Sequence, residues 1–324
     1  MNKFALTIHG GAGTILKKNM TQEREASYRK GLEEALKAGY DLLEKGASAL
    51  EAVLAATVSL EDNALFNAGK GSVFTNDGRQ EMDASIMDGK TLMAGAVAAV
   101  RNIRNPVQLA YAVMTKSPHV LLIGKGAEEF AGQNGIKTEP DEYFFSQFRY
   151  DQLKKMQASG KAALDHNVSA DDKASSSETT ADRKFGTVGA AACDRYGNIA
   201  AATSTGGMTN KQWGRVGDSS IIGSGTYANN KTCAISCTGY GEMFIRAVAA
   251  YDVSCLMEYK GITLQDAMNV VVNDKLVKLE GDGGMIGVDA TGNAAMLFNS
   301  EGMYRGIKNS DGLNEVGIYR ELLK

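Results

Sequence analysis

The spacing of hydrophobic positions at the start of the chain predicts one strand followed by two helices. Segment 3–8, which is mainly apolar, predicts a short buried strand, and the glycine-rich segment 9–13 predicts a loop at its end, because glycine permits unusual backbone dihedrals. Apolar residues recur at helical spacing over 23–44 and 47–60, which predicts two helices. These helices are expected to cover one face of a sheet.

The pattern from residue 80 onward mixes strands and helices. Short strand-like segments within 80–100 flank a turn at 87–90, and Asn105-Pro106 is a typical helix start. A strand at 119–123 and a further helix are expected to follow. The first half of the chain therefore combines both kinds of element.

The second half is predicted to begin after a linker. Segment 159–184 has scattered charges and no apolar period, which is typical of an exposed, mobile connection. Two hairpins are predicted at 185–203 and 285–296, each with the turn pattern D-x-x-G-N. Their small side chains suit two closely packed sheets, with the helices predicted at 242–259 and 263–276 outside them. The expected fold class is α+β, a four-layer αββα sandwich.

Composition limits the possible functions without selecting one. Hydrophobic residues make up 44% of the 324 residues and charged residues 23%, values typical of a compact globular protein. The net charge of −3 gives no basic field for nucleic acid or anionic lipid, so a small-molecule partner is expected. The sequence contains neither a run of ~20 apolar residues, as a membrane span requires, nor a signal-peptide core. A cytoplasmic location is expected.

Familiar catalytic and metal-binding motifs are missing from the sequence. It contains no G-x-S-x-G elbow, no H-E-x-x-H and no complete P-loop, and its four cysteines lack C-x-x-C spacing. The histidines are His9, His119 and His166. His9 is a possible base, but a histidine at a strand end more often forms hydrogen bonds within the structure.

A hydroxyl residue follows the predicted linker almost directly: Thr187, preceded by Gly186. A threonine at a strand start is usually structural, since β-branched residues favour strands. If the chain were cut before Thr187, however, the new α-amine, with a reference pKa of ~7.7 to 8.0, could accept the proton of the Thr187 hydroxyl. Gly186 has no Cβ and therefore permits the strained approach in which Thr187 Oγ1 attacks the preceding carbonyl.

Seven short motifs are distributed over the whole chain. They are HGGAG at 9–13, FNAGKGSVFT at 66–75, MDASIMDG at 82–89, GTVGA at 186–190, ATSTGGMTNK at 202–211, GRVGDS at 214–219 and TGYGE at 238–242. In this order they resemble the plant-type asparaginase and isoaspartyl peptidase family of Ntn-hydrolases. The resemblance implies a single αββα domain, 1–324, which is cut between Gly186 and Thr187.

The family's maturation implies two subunits that remain together. The α subunit would be 1–186, with the flexible linker 159–186 at its C-terminus, and the β subunit would be 187–324. The resemblance further implies that two such pairs assemble as (αβ)2. No cofactor is implied for catalysis.

Four residues carry the implied nucleophile and the recognition of the substrate head. Thr187 would be the nucleophile, and Thr205 would orient or polarise its hydroxyl. Arg215 would bind the substrate α-carboxylate, to which a guanidinium fork is well matched, and Asp218 would bind the α-ammonium. Without the resemblance, Arg215 and Asp218 are more typical of an exposed ion pair.

The remaining implied site residues lie on either side of these four. Thr238 and the Gly239 N–H resemble the family's oxyanion hole, and Gly241 would help hold the ammonium through its carbonyl. Without the resemblance, this stretch is typical of a flexible strand-to-helix turn. Asn67 resembles the asparagine that fixes the amine of the nucleophile.

The loop 60–70 resembles a structural sodium site that is formed mainly by backbone carbonyls. The implied ligands are Leu60, Glu61, Asn63, Phe66, Ala68 and Lys70. Carbonyl ligation places few demands on side chains, so the segment is equally typical of an ordinary loop. Two departures bear on substrate preference: Trp213 stands where the family often has proline, and Tyr240 where it often has a small residue or threonine.

The resemblance implies hydrolysis of L-asparagine and isoaspartyl peptides through a β-aspartyl ester on Thr187. Glycosylasparaginase, which shares the fold and the nucleophile but is usually secreted, is the alternative. A third hypothesis is an uncleaved, non-catalytic binding protein of the same fold.

Overall fold

The computed structural model describes residues 3–158 and 186–320. The predicted linker, 159–184, lies outside these ranges. Within them, no helix has the length and apolar character needed to cross a bilayer.

The described residues form twelve strands. In chain order these are β1 Ala5–Gly13, β2 Met82–Asp88, β3 Ala94–Val100, β4 Leu121–Ile123, β5 Val188–Cys193, β6 Ile199–Thr205, β7 Thr226–Ala228, β8 Cys233–Gly239, β9 Gly283–Asp289, β10 Ala294–Phe298, β11 Gly302–Asn309 and β12 Asn314–Tyr319. Eight strands form one sheet in the order β12-β11-β1-β5-β6-β2-β3-β4, and four form another in the order β10-β9-β8-β7. All neighbouring strands are antiparallel except β3 and β4.

The helices form the two outer layers. They are α1 Gln22–Glu44, α2 Ala49–Glu61, α3 Pro106–Lys116, α4 Gly124–Gln133, α5 Asp141–Phe144, α6 Gln147–Ala158, α7 Gly241–Ala247, α8 Ala249–Lys260, α9 Leu264–Asn269 and α10 Leu276–Lys278, with a π-helical stretch, Val270–Lys275, between the last two. Helices α1 to α3 pack on the larger sheet, and α8 and α9 pack on the smaller one. The predicted four-layer αββα sandwich is thus confirmed.

Local sequence signals explain where several helices begin. The Thr21 side chain accepts a hydrogen bond from the Arg24 N–H at the start of α1. Ser48 and Glu51 form a reciprocal capping box at the start of α2, and Pro106 is the first residue of α3. Each device satisfies or removes an N–H that would otherwise lack a partner in the first turn.

The centre of the larger sheet is buried on both faces. All nine residues of β1, and all residues of β5 and β6, are buried, because helices cover one face and the second sheet covers the other. Small side chains between the sheets allow their close approach, among them Ala5, Ala191, Ala201 and Ala234. A side chain between the two sheets therefore lies in a closely packed environment without water.

Two predictions about element boundaries were wrong. Segment 9–13 is not a loop but the second half of β1, which continues past a bulge between His9 and Gly11. The helix predicted at 242–259 is divided at Val248, which adopts a left-handed conformation with φ 48°. The N–H groups at the start of α8 donate instead to the carbonyls of Gly223 and Ser224, so a tertiary contact ends the first helix.

Candidate active site

Thr187 lies directly before β5, in the middle of the larger sheet, with 6% of its surface exposed. Its Oγ1 donates a hydrogen bond to Thr205 Oγ1, 3.3 Å away at the end of β6. Thr205 Oγ1 also accepts a hydrogen bond of 2.9 Å from the Gly207 N–H. The β5–β6 hairpin therefore brings the two predicted threonines together.

His9 contacts Thr187, but through the backbone. Its Nδ1 lies 3.0 Å from the Thr187 carbonyl oxygen. Complete burial lowers the pKa of His9 to about 3, although the hydrogen bond to Thr187 acts in the opposite direction. The imidazole is therefore neutral near pH 7, and both ring nitrogens are engaged, so His9 is not placed to take the Thr187 hydroxyl proton.

Asn67 connects Gly186 with the loop that follows β6. Its Nδ2 donates to the Gly207 carbonyl at 2.7 Å, and its Oδ1 accepts from the Val73 N–H at 3.0 Å. A Cβ on Gly186 would lie 2.6 Å from Asn67 Cβ, so only glycine fits at this position without displacement. The structure thus brings Asn67 beside the predicted cleavage point.

Arg215 forms its ion pair with Glu242 and not with Asp218. Arg215 Nε lies 2.8 Å from Glu242 Oε1, and Nη2 lies 2.7 Å from Oε2. The interpretation of Arg215 and Asp218 as an exposed ion pair is therefore wrong. Glu242 was not among the predicted site residues, although its position at the end of the TGYGE motif was available as a signal.

Asp218 is buried in a short 3-10 turn beside Gly241. Burial raises the pKa of the Asp218 carboxyl to about 7, although the charge of Arg215 acts in the opposite direction. Its Oδ2 has no hydrogen-bond partner among the described residues. A Cβ on Gly241 would lie 2.8 Å from Asp218 Oδ1, so the backbone of α7 passes directly over the carboxyl. A buried carboxyl with an unsatisfied oxygen is suited to a ligand that donates hydrogen bonds.

Thr238 and Gly239 end strand β8 next to the same pocket. Thr238 Oγ1 accepts a hydrogen bond of 3.2 Å from the Ala12 N–H of β1, which leaves the Thr238 hydroxyl proton free to point elsewhere. Gly239 has φ 151°, and a Cβ there would lie 2.4 Å from the Asp282 carbonyl oxygen. The close backbone approach thus explains why glycine occupies this position.

Most of these groups line one small pocket. It is lined by Gly186, Thr187, Thr205, Gly207, Met208, Arg215, Gly217, Asp218, Ser219 and Gly239. Five of the predicted site residues therefore meet there together with Gly186. The other four lining residues, Gly207, Met208, Gly217 and Ser219, were not predicted, although each lies in one of the seven motifs.

The predicted sodium loop curls so that backbone oxygens surround two glycines. A Cβ on Gly71 would lie 2.0 Å from the Phe66 carbonyl oxygen, and one on Gly69 would lie 2.5 Å from that of Glu61. Glu61 Oε1 accepts from Ser204 Oγ and the Val107 N–H, so this oxygen of the carboxyl is already engaged. The ligands implied for this loop are carbonyl oxygens, which suit a hard cation, and several of these oxygens also accept backbone hydrogen bonds.

The two departures from the family pattern differ in exposure. Trp213 is 90% exposed and has φ 56°, whereas Tyr240 is buried directly before α7. Neither lines the pocket around Thr187.

Residues 2–318 match the asparaginase family profile. The chain is 51% identical to an isoaspartyl peptidase of Salmonella typhimurium over 321 residues, which cover 99% of this chain and all of that protein. It is 49% identical to an isoaspartyl peptidase of Escherichia coli, covering 99% and 98% of the two chains. A probable isoaspartyl peptidase/L-asparaginase 2 of Arabidopsis thaliana is 40% identical over 98% of this chain and all of its own length.

These similarities extend over the whole fold and not over isolated motifs. The chain belongs to the asparaginase family of Ntn-hydrolases. The family resemblance stated from the seven motifs is thereby confirmed.

Proposed function

We propose that this chain cleaves itself before Thr187 and then hydrolyses β-aspartyl amides, as an isoaspartyl peptidase and L-asparaginase. The observation that carries the proposal is the hydroxyl pair of Thr187 and Thr205 in a pocket that also contains Arg215 and Asp218. The pocket thus combines a nucleophile with charged groups for an amino-acid head. The names of the relatives support this reaction and give no support to glycosylasparagine hydrolysis.

Activation begins with attack of Thr187 Oγ1 on the carbonyl carbon of Gly186. The peptide C–N bond breaks, the hydroxyl proton passes to the Thr187 nitrogen, and an ester joins the two residues. Water then hydrolyses the ester, which leaves a carboxylate on Gly186 and a free amine and hydroxyl on Thr187. The tight packing of Gly186 against Asn67 supports this step, because it restricts the motion of the scissile peptide.

Turnover uses the new amine as the base. The Thr187 amine accepts the hydroxyl proton while Oγ1 attacks the side-chain carbonyl carbon of the substrate. The leaving amine departs with that proton, and a β-aspartyl ester remains on Thr187. Water activated by the same amine then releases aspartate. The free hydroxyl proton of Thr238, together with the Gly239 N–H, would stabilise the negative charge on the acyl oxygen.

Recognition of the substrate depends on charge. Arg215 uses Nε and Nη2 for Glu242, which leaves Nη1, beside Gly217, for the substrate α-carboxylate. The unsatisfied Oδ2 of Asp218 would accept from the α-ammonium. A β-aspartyl compound carries both groups on one carbon, so its head fits between them.

The sheet topology explains how the two proposed subunits would remain together. Strand β1 of the α part lies between β5 and β11 of the β part, and β6 of the β part pairs with β2 of the α part. Cleavage would therefore leave the shared sheet intact. Two such units would form (αβ)2, and the carbonyls of the 60–70 loop would hold a structural sodium ion.

Denaturing electrophoresis followed by N-terminal sequencing tests the proposal. We expect two fragments, with Thr187 as the first residue of the smaller one. Thr187→Ala is expected to remain uncut and inactive on β-Asp-Leu and L-asparagine, whereas Thr187→Ser should retain both reactions because it keeps the hydroxyl. A chain that stays intact on prolonged incubation, or an active Thr187→Ala variant, would contradict the mechanism.

A further inference from the structure

His9 is enclosed between the two sheets and is bonded on both sides of its ring. Nδ1 contacts the Thr187 carbonyl oxygen at 3.0 Å, and Nε2 lies 2.9 Å from Ser236 Oγ. A carbonyl oxygen can only accept, so Nδ1 of the neutral ring carries the proton and Nε2 accepts from Ser236. A Cβ on Gly189 would lie 2.7 Å from Nε2 and 2.0 Å from Ser236 Oγ, so glycine is required there to make room for the contact.

A chain of buried hydroxyls extends from His9 across the interface of the sheets. Because Ser236 donates to His9, it can only accept from Thr203 Oγ1, which lies 2.7 Å away. Thr203 in turn accepts from Thr226 Oγ1 at 2.5 Å, and Thr226 accepts from Ser85 Oγ at 2.8 Å. The hydroxyl groups of this hydrogen-bonded series can therefore all donate in the same direction, toward Thr187. Hydrogen bonds aligned in this manner in a dry environment strengthen one another.

Two backbone carbonyls are alternative acceptors for hydroxyls in the part of this hydrogen-bonded series that lies farthest from Thr187. Thr203 Oγ1 lies 3.1 Å from the Gly225 carbonyl oxygen, and Ser85 Oγ lies 2.6 Å from that of Ser219. Either hydroxyl can turn to its carbonyl and interrupt the chain. The links nearest Thr187, through His9 and Ser236, do not depend on that choice.

Thr187 has little other support from the strand ladders. The pairing of β5 with β1 ends at Gly189 opposite His9, and its pairing with β6 ends at Val188. After cleavage from Gly186, Thr187 would be a chain terminus, and termini tend to fray. The hydrogen bond from the His9 side chain thus connects β1 to Thr187, beyond the last backbone pair between β1 and β5.

We propose that His9 is a positioning residue that fixes Thr187 through its carbonyl, with Ser236 fixing the ring of His9 in turn. This inference rests on the proposed role of Thr187 as the N-terminal nucleophile. A fixed carbonyl sets the backbone torsion of Thr187 and hence the directions of its amine and hydroxyl. Since His9 touches no group that would bind the substrate, its loss should affect the chemical step and not binding.

Variants at His9 and a control on the same strand test the proposal. His9→Leu removes both ring nitrogens, whereas His9→Asn keeps an N–H donor close to the position of Nδ1. Thr7→Val deletes another buried hydroxyl of β1, which donates to the Ala191 carbonyl and lies outside the chain from His9. The readouts are the fraction of cut chain and, per cut chain, kcat and KM on β-Asp-Leu.

We expect His9→Leu to lower kcat on the order of 10- to 100-fold with KM unchanged, because misplacement of a reacting group has effects of this size. His9→Asn should recover most of kcat, and Thr7→Val should match the wild type. If His9→Leu fails to mature, Ser236→Ala provides the test, since it leaves His9 in place and should still lower kcat several-fold. Wild-type kcat in Ser236→Ala would then overturn the proposal.

The remaining outcomes separate this inference from the proposed function. Wild-type kcat in His9→Leu, or an equal loss in His9→Leu and His9→Asn, would show that the contact with the Thr187 carbonyl does not position the nucleophile. An uncut or inactive wild-type chain would instead contradict the function of Thr187 itself.

Discussion

Arg215 and Glu242 are joined at two points, with Nε 2.8 Å from Oε1 and Nη2 2.7 Å from Oε2. Their side chains are 19% and 33% exposed, so water competes only partly for these bonds. Two parallel bonds fix the plane of the guanidinium, which one bond could not do. Glu242 therefore determines which edge of Arg215 a substrate can reach.

This pair predicts that Glu242→Gln weakens substrate binding more than it slows the reaction. The glutamine amide would bring its NH2 group against a donor of Arg215, so one of the two bonds is lost. We expect KM for β-Asp-Leu to rise by roughly tenfold, equivalent to about 1.4 kcal/mol, with little change in kcat. Steady-state kinetics on the cut enzyme would measure both.

Glu25→Gln is a matched control for this variant. Glu25 accepts from Arg29 Nε at 2.9 Å on helix α1, away from the pocket. KM should be unchanged in Glu25→Gln. A similar rise in KM in both variants would show that the effect of Glu242 is not local.

The raised pKa of Asp218, about 7, predicts that binding of the substrate head depends on pH. Below this pH the carboxyl is protonated and neutral, so it cannot pair with an α-ammonium. Inhibition by L-aspartate should therefore strengthen as pH rises toward 7 and level off above it, with a limiting slope of roughly tenfold per pH unit on the acid side. Competition assays from pH 5.5 to 8.5 would give the inhibition constants.

Asp218→Asn removes the titrating group while keeping its shape. In this variant L-aspartate should inhibit more weakly at every pH. The strengthening of inhibition as pH rises toward 7, which we attribute to Asp218, should be absent. If inhibition of Asp218→Asn still strengthens toward pH 7 as in the wild type, another group is responsible for this pH dependence.

Gly186→Ala is predicted to slow self-cleavage. The added Cβ would lie 2.6 Å from Asn67 Cβ, so the peptide must move away from Asn67 and shift the carbonyl that Thr187 Oγ1 attacks. The fraction of cut chain against time, followed by denaturing electrophoresis, would give the rate. Gly126→Ala is the control, because a Cβ there meets no atom within 4 Å. Equal rates for Gly186→Ala and the wild type would contradict the expected crowding.

The sequence predicted the elements whose signals are local. Helices α1 and α2 followed from apolar spacing, and the β5–β6 hairpin followed from its turn. Strands β11 and β12 were missed, because β11 pairs with β1, nearly 300 residues earlier, and β12 pairs in turn with β11. The break at Val248 was likewise missed, since it depends on carbonyls from another part of the chain.

The site likewise contains residues that could be predicted from the sequence and contacts that could not. Thr187, Thr205 and Asp218 could be predicted because family motifs mark their positions, and the structure brings them into one pocket. Neither the partnership of Glu242 with Arg215 nor the contact of His9 with the Thr187 carbonyl could be predicted. Both join segments that are distant in sequence, and charge or spacing alone does not select one partner among several.

The carbonyl oxygens around Gly69 and Gly71 predict that stability depends on sodium. A cation present at ~100 times its Kd stabilises the folded state by about 2.7 kcal/mol. We therefore expect Tm to be a few degrees higher in sodium chloride than in choline chloride at equal ionic strength, measured by calorimetry. Gly71→Ala should abolish this difference, because its Cβ would lie 2.0 Å from the Phe66 carbonyl oxygen and displace it. Gly132→Ala, where a Cβ meets no atom within 4 Å, should retain it. An identical Tm of the wild type in both salts would exclude a stabilising sodium ion in this loop.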